Sequence, residues 1–270
     1  MNEVIKNDFT HLKIHTQYSI CEGALRTTDL AKYCKEKKTK ALGLCDSFNL
    51  CGALEFSDLL AKFKTQPIIG TQINIQYKNH SGKLPFFAKN LEGYKNLIKL
   101  SSKSYLEIKD DQDPHCELKD IEKNFNGLIL FTGSFDGFFG KLFSKNLIDE
   151  ISLIIKKIKS IYKNNLYIEI QRHGDPGEEL FEKFLINLSE DLDIPLIATH
   201  EVFYLNKDMH EAHDAYLCIG EKTYVNTKDR KKYSNQHYLK SSEEMCDLFK
   251  DLPDALENNK NFPLRISFRP

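Results

Sequence analysis

Short β-rich runs alternate with helix-period segments along most of the chain, the pattern of a repeated strand and helix architecture. "THLKIH" (10–15) predicts a first strand. A helix over 27–38, with Leu30, Tyr33 and Cys34 on one face, leads into the apolar strand 40–45. The next helix, 49–64, places Leu50, Leu54, Leu59, Leu60 and Phe63 near one side. Strands 67–77 and 83–90 flank the turn "KNHSGK", and 92–106 is helical. Beyond a polar loop containing "DDQDPH", the pattern predicts strand 127–133, helices within 136–162, strand 165–171, helix 177–191 and strand 194–199. Asp175 and Pro176 read as the start of that last helix, an aspartate cap followed by a proline suited to the first turn. Another helix begins near Asp208, and a final one lies at "SSEEMCDLFKDL", where Ser241 and Glu244 have capping-box spacing. Seven or so strands, mostly followed by helices, favour a closed α/β barrel of the TIM type. Periodicity alone leaves an open doubly wound sheet as the alternative. No repeat, low-complexity stretch or linker divides the chain.

Composition narrows this picture. A chain of 270 residues, 41% hydrophobic and 29% charged, can bury one large core and is too apolar for a disordered tail. A net charge of −1 excludes a general basic field for sheathing nucleic acid but leaves room for local basic patches. Seven cysteines without a C-x-x-C pair fit neither a disulfide framework nor a zinc ribbon, so a reducing cytoplasm is expected. "MNEVIKNDFT" lacks a signal-peptide profile, and no apolar run approaches the roughly 18 residues that span a bilayer. No membrane partner is expected.

Barrels of this type carry their chemistry where the strands end. The residues there are His15 with Glu22, Asp46 with Ser47, Gln72, Ser134, Arg172 with His173, and His200 with Glu201. Imidazoles and carboxylates in that arrangement suit a polynuclear Zn, Mn or Fe centre that activates water against a phosphate ester. The plainer alternative is that strand ends are polar in any barrel. His210 and His213, three apart, read as a polar helix face in preference to a ligand pair. "QRHGDPGEE" (171–179) reads as a structural turn, with phosphate or partner contact as the sharper alternative. The runs "KEKKTK" (35–40) and "DRKK" (229–232) read as solvated surface, and Tyr18, Tyr94, Tyr105 and Phe203 as packing residues. There is no Ser-His-Asp arrangement, phosphate-binding P-loop or dinucleotide fingerprint.

A specific resemblance runs through these segments. "FTHLKIHTQYSICEGAL", "ALGLCDSFNLCGALEF", "QPIIGTQ", "AKNLEGYKNLIKLSSKSY", "YIEIQRHGDPGEE", "PLIATHEVFYLNKDMHEAHDAYLCI" and "YSNQHYLKSSEEMCDLFKDLPDALENN" stand in the order seen in the PHP (polymerase and histidinol phosphatase) domain that opens bacterial DNA polymerase III alpha subunits. The similarity covers roughly residues 9 to 260. It implies an irregular TIM-like (β/α)7 barrel of the PHP type over 1–260, with 261–270 beginning the connection to a polymerase region that this chain lacks.

The resemblance also implies where a metal site would lie, and the chain departs from the family's metal-binding pattern there. Lys13 and His15 fill the H-x-H slot of the first strand, and His11 takes the place of the family's extra, non-ligand histidine. Glu22 keeps a carboxylate. Asp46 survives, but Ser47 replaces a histidine and Gln72 a glutamate. Lys83 is near the next histidine position, Ser134 replaces a cysteine or histidine, Glu201 keeps a carboxylate, and Phe203 fills the final histidine position. A lysine ammonium has no lone pair and repels cations. The site therefore reads as vestigial, with no catalytic residue, no metal and no cofactor. His15, Glu22, Asp46 and Glu201 remain candidates for a residual single ion, but the favoured reading is a salt-bridge network in which Lys13 holds them together. By resemblance the chain would be a structural and interaction module in DNA replication. Its partners would be the epsilon proofreading exonuclease, the rest of the polymerase III holoenzyme and, through the missing region, primer-template DNA. The family's nucleotidyltransferase chemistry uses Mg²⁺ in that missing region. The alternative is a free-standing metal-dependent PHP phosphoesterase or 3′–5′ exonuclease.

Overall fold

The computed structural model describes residues 8–109 and 111–270. Residues 1–7 of the opening stretch and Asp110 of the loop "DDQDPH" lie outside the described residues. In chain order the first half runs β1 (Lys13–Ile14), α1 (Thr27–Lys37), β2 (Ala41–Ser47), α2 (Ala53–Ala61), β3 (Gln66–Tyr77), β4 (His80–Ala88), α3 (Leu91–Leu106), β5 (Cys116–Glu117) and α4 (Leu118–Lys123). The second half runs β6 (Leu128–Phe131), α5 (Phe138–Ser144), α6 (Ile148–Tyr162), β7 (Leu166–Ile170), α7 (Glu178–Leu192), β8 (Leu196–Ala198), β9 (Glu201–Val202), α8 (His210–Gly220), α9 (Ser242–Leu248) and α10 (Pro253–Asn261).

The sheet runs β2-β3-β4-β6-β7-β8, with β5 paired to the far end of β3. β9 continues β8 after two residues and pairs in parallel with β1, Lys13 facing Glu201. On the other side of β1, the Gly43 amide of β2 donates to the His11 carbonyl at 2.7 Å. The ring is thereby closed with seven staves, the irregular TIM-like (β/α)7 barrel. The irregularity has a local cause: the tight connection between Tyr77 and His80 returns β4 antiparallel to β3, so β4 also runs antiparallel to β6.

β2 and β7 are buried along their whole length, as strands covered on both faces must be. Period two sorts their side chains. Leu42 and Leu44 of β2 face the helices, packing with Leu30, Phe56 and Leu60. Cys45 joins Leu12, Ile68, Phe87, Phe131, Tyr167 and Ile197 inside the barrel. Phe262, beyond α10, plugs the base of this interior, with ring centres 5.3 Å from Phe131 and 5.5 Å from Phe87. Phe262 and Ile266 thus pack in the core, although they lie past residue 260.

Several expectations need correction. The first strand, expected over 10–15, shortens to two residues because its flanks bond elsewhere. The Thr10 amide donates to Asn259 Oδ1 at 2.8 Å, and the His11 ring meets the Lys240 carbonyl at 2.8 Å. Asp175 does not cap α7, which begins at Glu178 after Gly177 at φ 88°. Its carboxylate instead accepts from the Ser234 amide and meets His237. β5, α4 and α10 carry no pattern that reveals them. α10 buries only Ala255 and Asn259, and the latter's amide donates to the Thr10 and Ala198 carbonyls at 2.9 Å each. A helix that packs through a polar side chain shows no apolar stripe. The capping box at Ser241 and Glu244 is present, with bonds of 3.2 and 2.7 Å. Among the described residues, no helix is long and apolar enough to cross a membrane.

Gly43 sets the closure of the ring, since a Cβ there would stand 2.3 Å from the Leu12 carbonyl oxygen. Gly43→Ala is therefore expected to destabilise the fold by about 2 kcal/mol or more, as overpacking does. Urea unfolding measures it; a change of only a few tenths would mean that β1 is not held against β2 in this way.

Candidate functional site

Around the mouth of the barrel, charged side chains form three groups held by ion pairs and hydrogen bonds. The first surrounds Lys13, which is fully buried on β1. Its Nζ lies 3.4 Å from Glu169 Oε1 of β7 and 3.6 Å from Glu201 Oε1 of β9. Burial alone would lower the Lys13 pKa, but the charges of Glu169 and Glu201 outweigh it and raise it. Glu201 stays well below the usual carboxylate range: burial opposes this, and the charge of Lys13 and a hydrogen bond from His15 overcome it. His15 Nε2 is 2.9 Å from Glu201 Oε1, and Gln72 donates to the same oxygen at 2.5 Å. Thr199 and Gln171 donate to Glu169 Oε1.

The second group surrounds Lys83 of β4. Its ammonium donates to Glu22 Oε1 at 2.5 Å and to Ser47 Oγ at 3.0 Å, while the Ser47 hydroxyl donates to Glu22 Oε2 at 2.5 Å. Against the cost of burial, Lys83 holds the Glu22 carboxyl down at about 2. The third group is Asp46, whose oxygens accept from the Thr16 amide, the Thr16 hydroxyl and the Ser19 hydroxyl at 2.6 to 2.7 Å. Burial raises its pKa. Asp46 fastens the 16–19 turn to β2.

The expected network around Lys13 is thus only partly what forms. Of His15, Glu22, Asp46 and Glu201, Lys13 reaches Glu201 alone; a second ammonium, Lys83, takes Glu22, and hydroxyls with an amide take Asp46. The other partner of Lys13, Glu169, was not among the candidates. A signal for it existed: in "YIEIQ" it alternates with Tyr167 and Gln171 on the inward side of a strand. Ser134 is half-buried in the loop after β6, and no side-chain hydrogen bond joins it to these groups. The buried Phe203 ring lies 4.7 Å from that of His15.

The remaining motifs resolve into structure. Arg172 donates to Glu182, Asp251 and the Leu248 carbonyl, tying β7 to α7 and α9, so its guanidinium is not offered to a phosphate. His210 and His213 face different carbonyls, those of Tyr233 and Glu22. In "DRKK", Arg230 grips Asp214 and Lys231 pairs with Asp136 at 2.7 Å, so these two are fasteners rather than free surface charge. Tyr105 is half exposed rather than packed.

Sequence reading also missed a stack of buried imidazoles. His173 and His237 lie parallel at 3.9 Å, His173 and His200 at 4.6 Å, and His200 and His11 meet edge-on at 5.9 Å. His173, Asp175 and His237 bring ligand atoms within 4.8 Å of one another. The two rings are only 3° from parallel, so their lone pairs run side by side and do not converge on one ion. Each nitrogen is also engaged: His173 with the Glu201 amide and Glu178, His237 with the Glu201 carbonyl and Asp175. Burial pushes His11 and His237 down to about 4, and His200 and His213 below the ordinary histidine value. Above the buried groups, the mouth keeps a pocket of about 290 Å³ bordered by Tyr18, Ile20, Glu22, Lys83 and Tyr233.

Comparison with known proteins places this geometry. The sequence matches the PHP domain family over residues 11–173. It is 34% identical over 276 residues to the DNA polymerase III subunit alpha of Caulobacter vibrioides, covering 99% of this chain and 24% of that protein. With the Rickettsia bellii protein of the same name the identity is 36% over 265 residues, covering 98% and 23%. The chain thus spans about a quarter of the length of these relatives. Among solved structures, a Bifidobacterium adolescentis protein described as a metal-dependent phosphoesterase aligns with a TM-score of 0.47 at 10% identity, covering 72% of this chain and 87% of that one.

Two measurements test the buried charges. Lys13→Met leaves Glu169 and Glu201 without their cation and is expected to cost about 3–5 kcal/mol in urea unfolding; a loss below about 1 kcal/mol would show that the ammonium is not the carboxylates' main partner. The histidines set a pH window. With folded values of about 4 for His11 and His237 against 6.5 ordinarily, the unfolded chain binds more protons between those limits. Stability should therefore fall as pH drops from 6.5 towards 4, by about 1 kcal/mol per unit for each histidine. Glu22, depressed to about 2, loses its contribution only below its ordinary 4.5. A melting temperature flat between pH 6.5 and 4.5 would contradict the buried neutral imidazoles.

Proposed function

Because this chain belongs to the PHP domain family, we propose that it is the PHP region of a DNA polymerase III alpha subunit and serves DNA replication as a structural and docking module for the epsilon proofreading exonuclease. The observation that carries the reading is the buried Lys13 ammonium, 3.6 Å from Glu201, a carboxylate that a metal centre would otherwise use, and 3.4 Å from Glu169. A fixed positive charge there repels a divalent ion, and with no lone pair it cannot be a ligand. Lys83 occupies Glu22 in the same way, Gln72 and Ser47 are neutral, and the Phe203 ring has no donor atom. The donor set does not fit a multi-metal centre, so no hydrolytic step is derived through one. In this reading the barrel is a rigid body kept for contacts. Template-directed synthesis, its Mg²⁺ ions and the contacts with primer-template DNA belong to a polymerase region outside this chain, working in the cytoplasm within the holoenzyme.

The likeness to curated alpha subunits over nearly the whole chain supports the assignment. Phosphatase and 3′–5′ exonuclease assays with Mn²⁺ or Zn²⁺ should give no activity. Activity that disappears in His15→Ala would overturn the reading in favour of a metal-dependent phosphoesterase. Mixed with the exonuclease subunit of the same organism, the chain should elute from gel filtration as a one-to-one complex. Separate elution at micromolar concentrations would remove the docking role.

A further inference from the structure

Between α8 and α9 the chain passes over the mouth without forming a helix or a strand ladder. This stretch contains "DRKK" and supplies Lys231 and Tyr233 to the border of the mouth pocket of about 290 Å³, which Tyr18, Phe48 and Lys83 also line. Two fixed points bracket residues 221–232. At one, where α8 ends, the Thr223 amide donates to the Cys218 carbonyl at 3.0 Å and Lys222 stands at φ 51°. At the other, the Ser234 amide donates to Asp175 Oδ1 at 3.0 Å and its hydroxyl to the His173 carbonyl at 2.7 Å, while the Tyr233 ring lies 4.6 Å from that of Phe203. Between these points no side chain is buried, and Tyr224 and Val225 are exposed. Among the described residues, the hydrogen bonds and ion pairs of 221–232 run within the segment or back to α8, as when Arg230 grips both oxygens of Asp214 at 2.6 and 2.5 Å. There is one exception. Lys231 Nζ reaches Asp136 Oδ2, 2.7 Å away in the loop between β6 and α5. Burial opposes the charge of Lys231, yet Asp136, Glu22 and Glu201 together raise its pKa. The segment thus carries a third ammonium to the mouth, beside Lys13 and Lys83.

We infer that residues 221–232 are a hinged lid over the barrel mouth, latched by the Lys231–Asp136 ion pair and released as salt screens that pair. A segment with no ladder and no buried side chain has little of its own to hold it down, the profile of a part that opens while the rest stays folded. Long irregular connections in a compact domain are commonly lids. The Arg230–Asp214 fork keeps the segment gathered on α8, so it moves as one body. Only Lys231 ties that body to another part of the barrel, and the tie is open to solvent, with the Lys231 and Asp136 side chains 38% and 57% exposed. Ion pairs so exposed are weak and are screened by salt, unlike the buried group around Lys13. With the lid shut, its ammonium lies near Glu22 and Glu201. Opening moves that ammonium away and uncovers the pocket and Lys83, whose side chain is 22% exposed in the closed form. The lid acts in this way whether or not the exonuclease docks.

The test is lysine labelling with an amine-reactive ester, read by mass spectrometry, with Lys83 as the reporter and the exposed Lys62 as the internal reference. In the parent chain, labelling of Lys83 relative to Lys62 should rise about two- to fivefold as salt goes from about 20 mM to about 500 mM. Asp136→Asn and Lys231→Gln should each reach the higher level already at low salt and change little as salt is added. These two substitutions alter the charge near Lys83 in opposite directions, so a rise in both reports the lid and not a local field. Lys228→Gln removes an exposed cation from the same segment without touching the latch and should label as the parent does. The inference is overturned if Lys83 labels alike in the parent and both latch variants, if the two variants move in opposite directions, if Lys228→Gln matches Lys231→Gln, or if salt has no effect on the parent. A salt response as large in the latch variants as in the parent would also overturn it, by placing the effect in the Lys83–Glu22 pair. Unchanged circular dichroism of the variants would rule out misfolding as the cause of a rise.

Discussion

A buried ammonium at the axis of the barrel is the constraint on which the rest of the structure depends. β1 has only two ladder residues, and one of them is Lys13, facing Glu201 across the β1–β9 pair. The same Nζ faces Glu169 of β7, so one cation draws the strand that closes the ring towards both β9 and β7. A charge so deeply buried is tolerable only with partners, since burial penalises every unpaired ion. Three buried carboxylates, Asp46, Glu169 and Glu201, and the partly buried Glu22 lie around two ammoniums, Lys13 and Lys83. The excess negative charge is met by donors: Thr16 and Ser19 on Asp46, Gln72 on Glu201, Thr199 and Gln171 on Glu169. These contacts tie β1, β2, β3, β7 and β9 together at the mouth.

That arrangement engages the charged groups of the mouth with one another. Glu22, Glu169 and Glu201 are paired with lysines, the guanidinium of Arg172 is saturated by two acids and a carbonyl, and the rings of His173 and His237 lie stacked.

The chain's own sequence determined the repeated strand and helix order, a strand pair joined by a turn within 78–83, although the second strand begins earlier, at His80, the capping box at Ser241 and the strand-end positions of His15 and Asp46, because each rests on contacts between residues close in the chain or on a period of two or 3.6. Family resemblance singled out Lys13 as the residue out of place. Only the tertiary structure decided which carboxylates Lys13 meets, that Lys83 and not Lys13 holds Glu22, that Asp175 turns from a helix cap to His237, and that His11, His173, His200 and His237 form one stack. It also decided that α10, almost without an apolar face, is fastened through Asn259. Such pairings join residues up to 249 positions apart, as Thr10 and Asn259 are. No local pattern encodes them, because ring closure brings distant strand ends together and the energy of a buried charge depends on what then surrounds it.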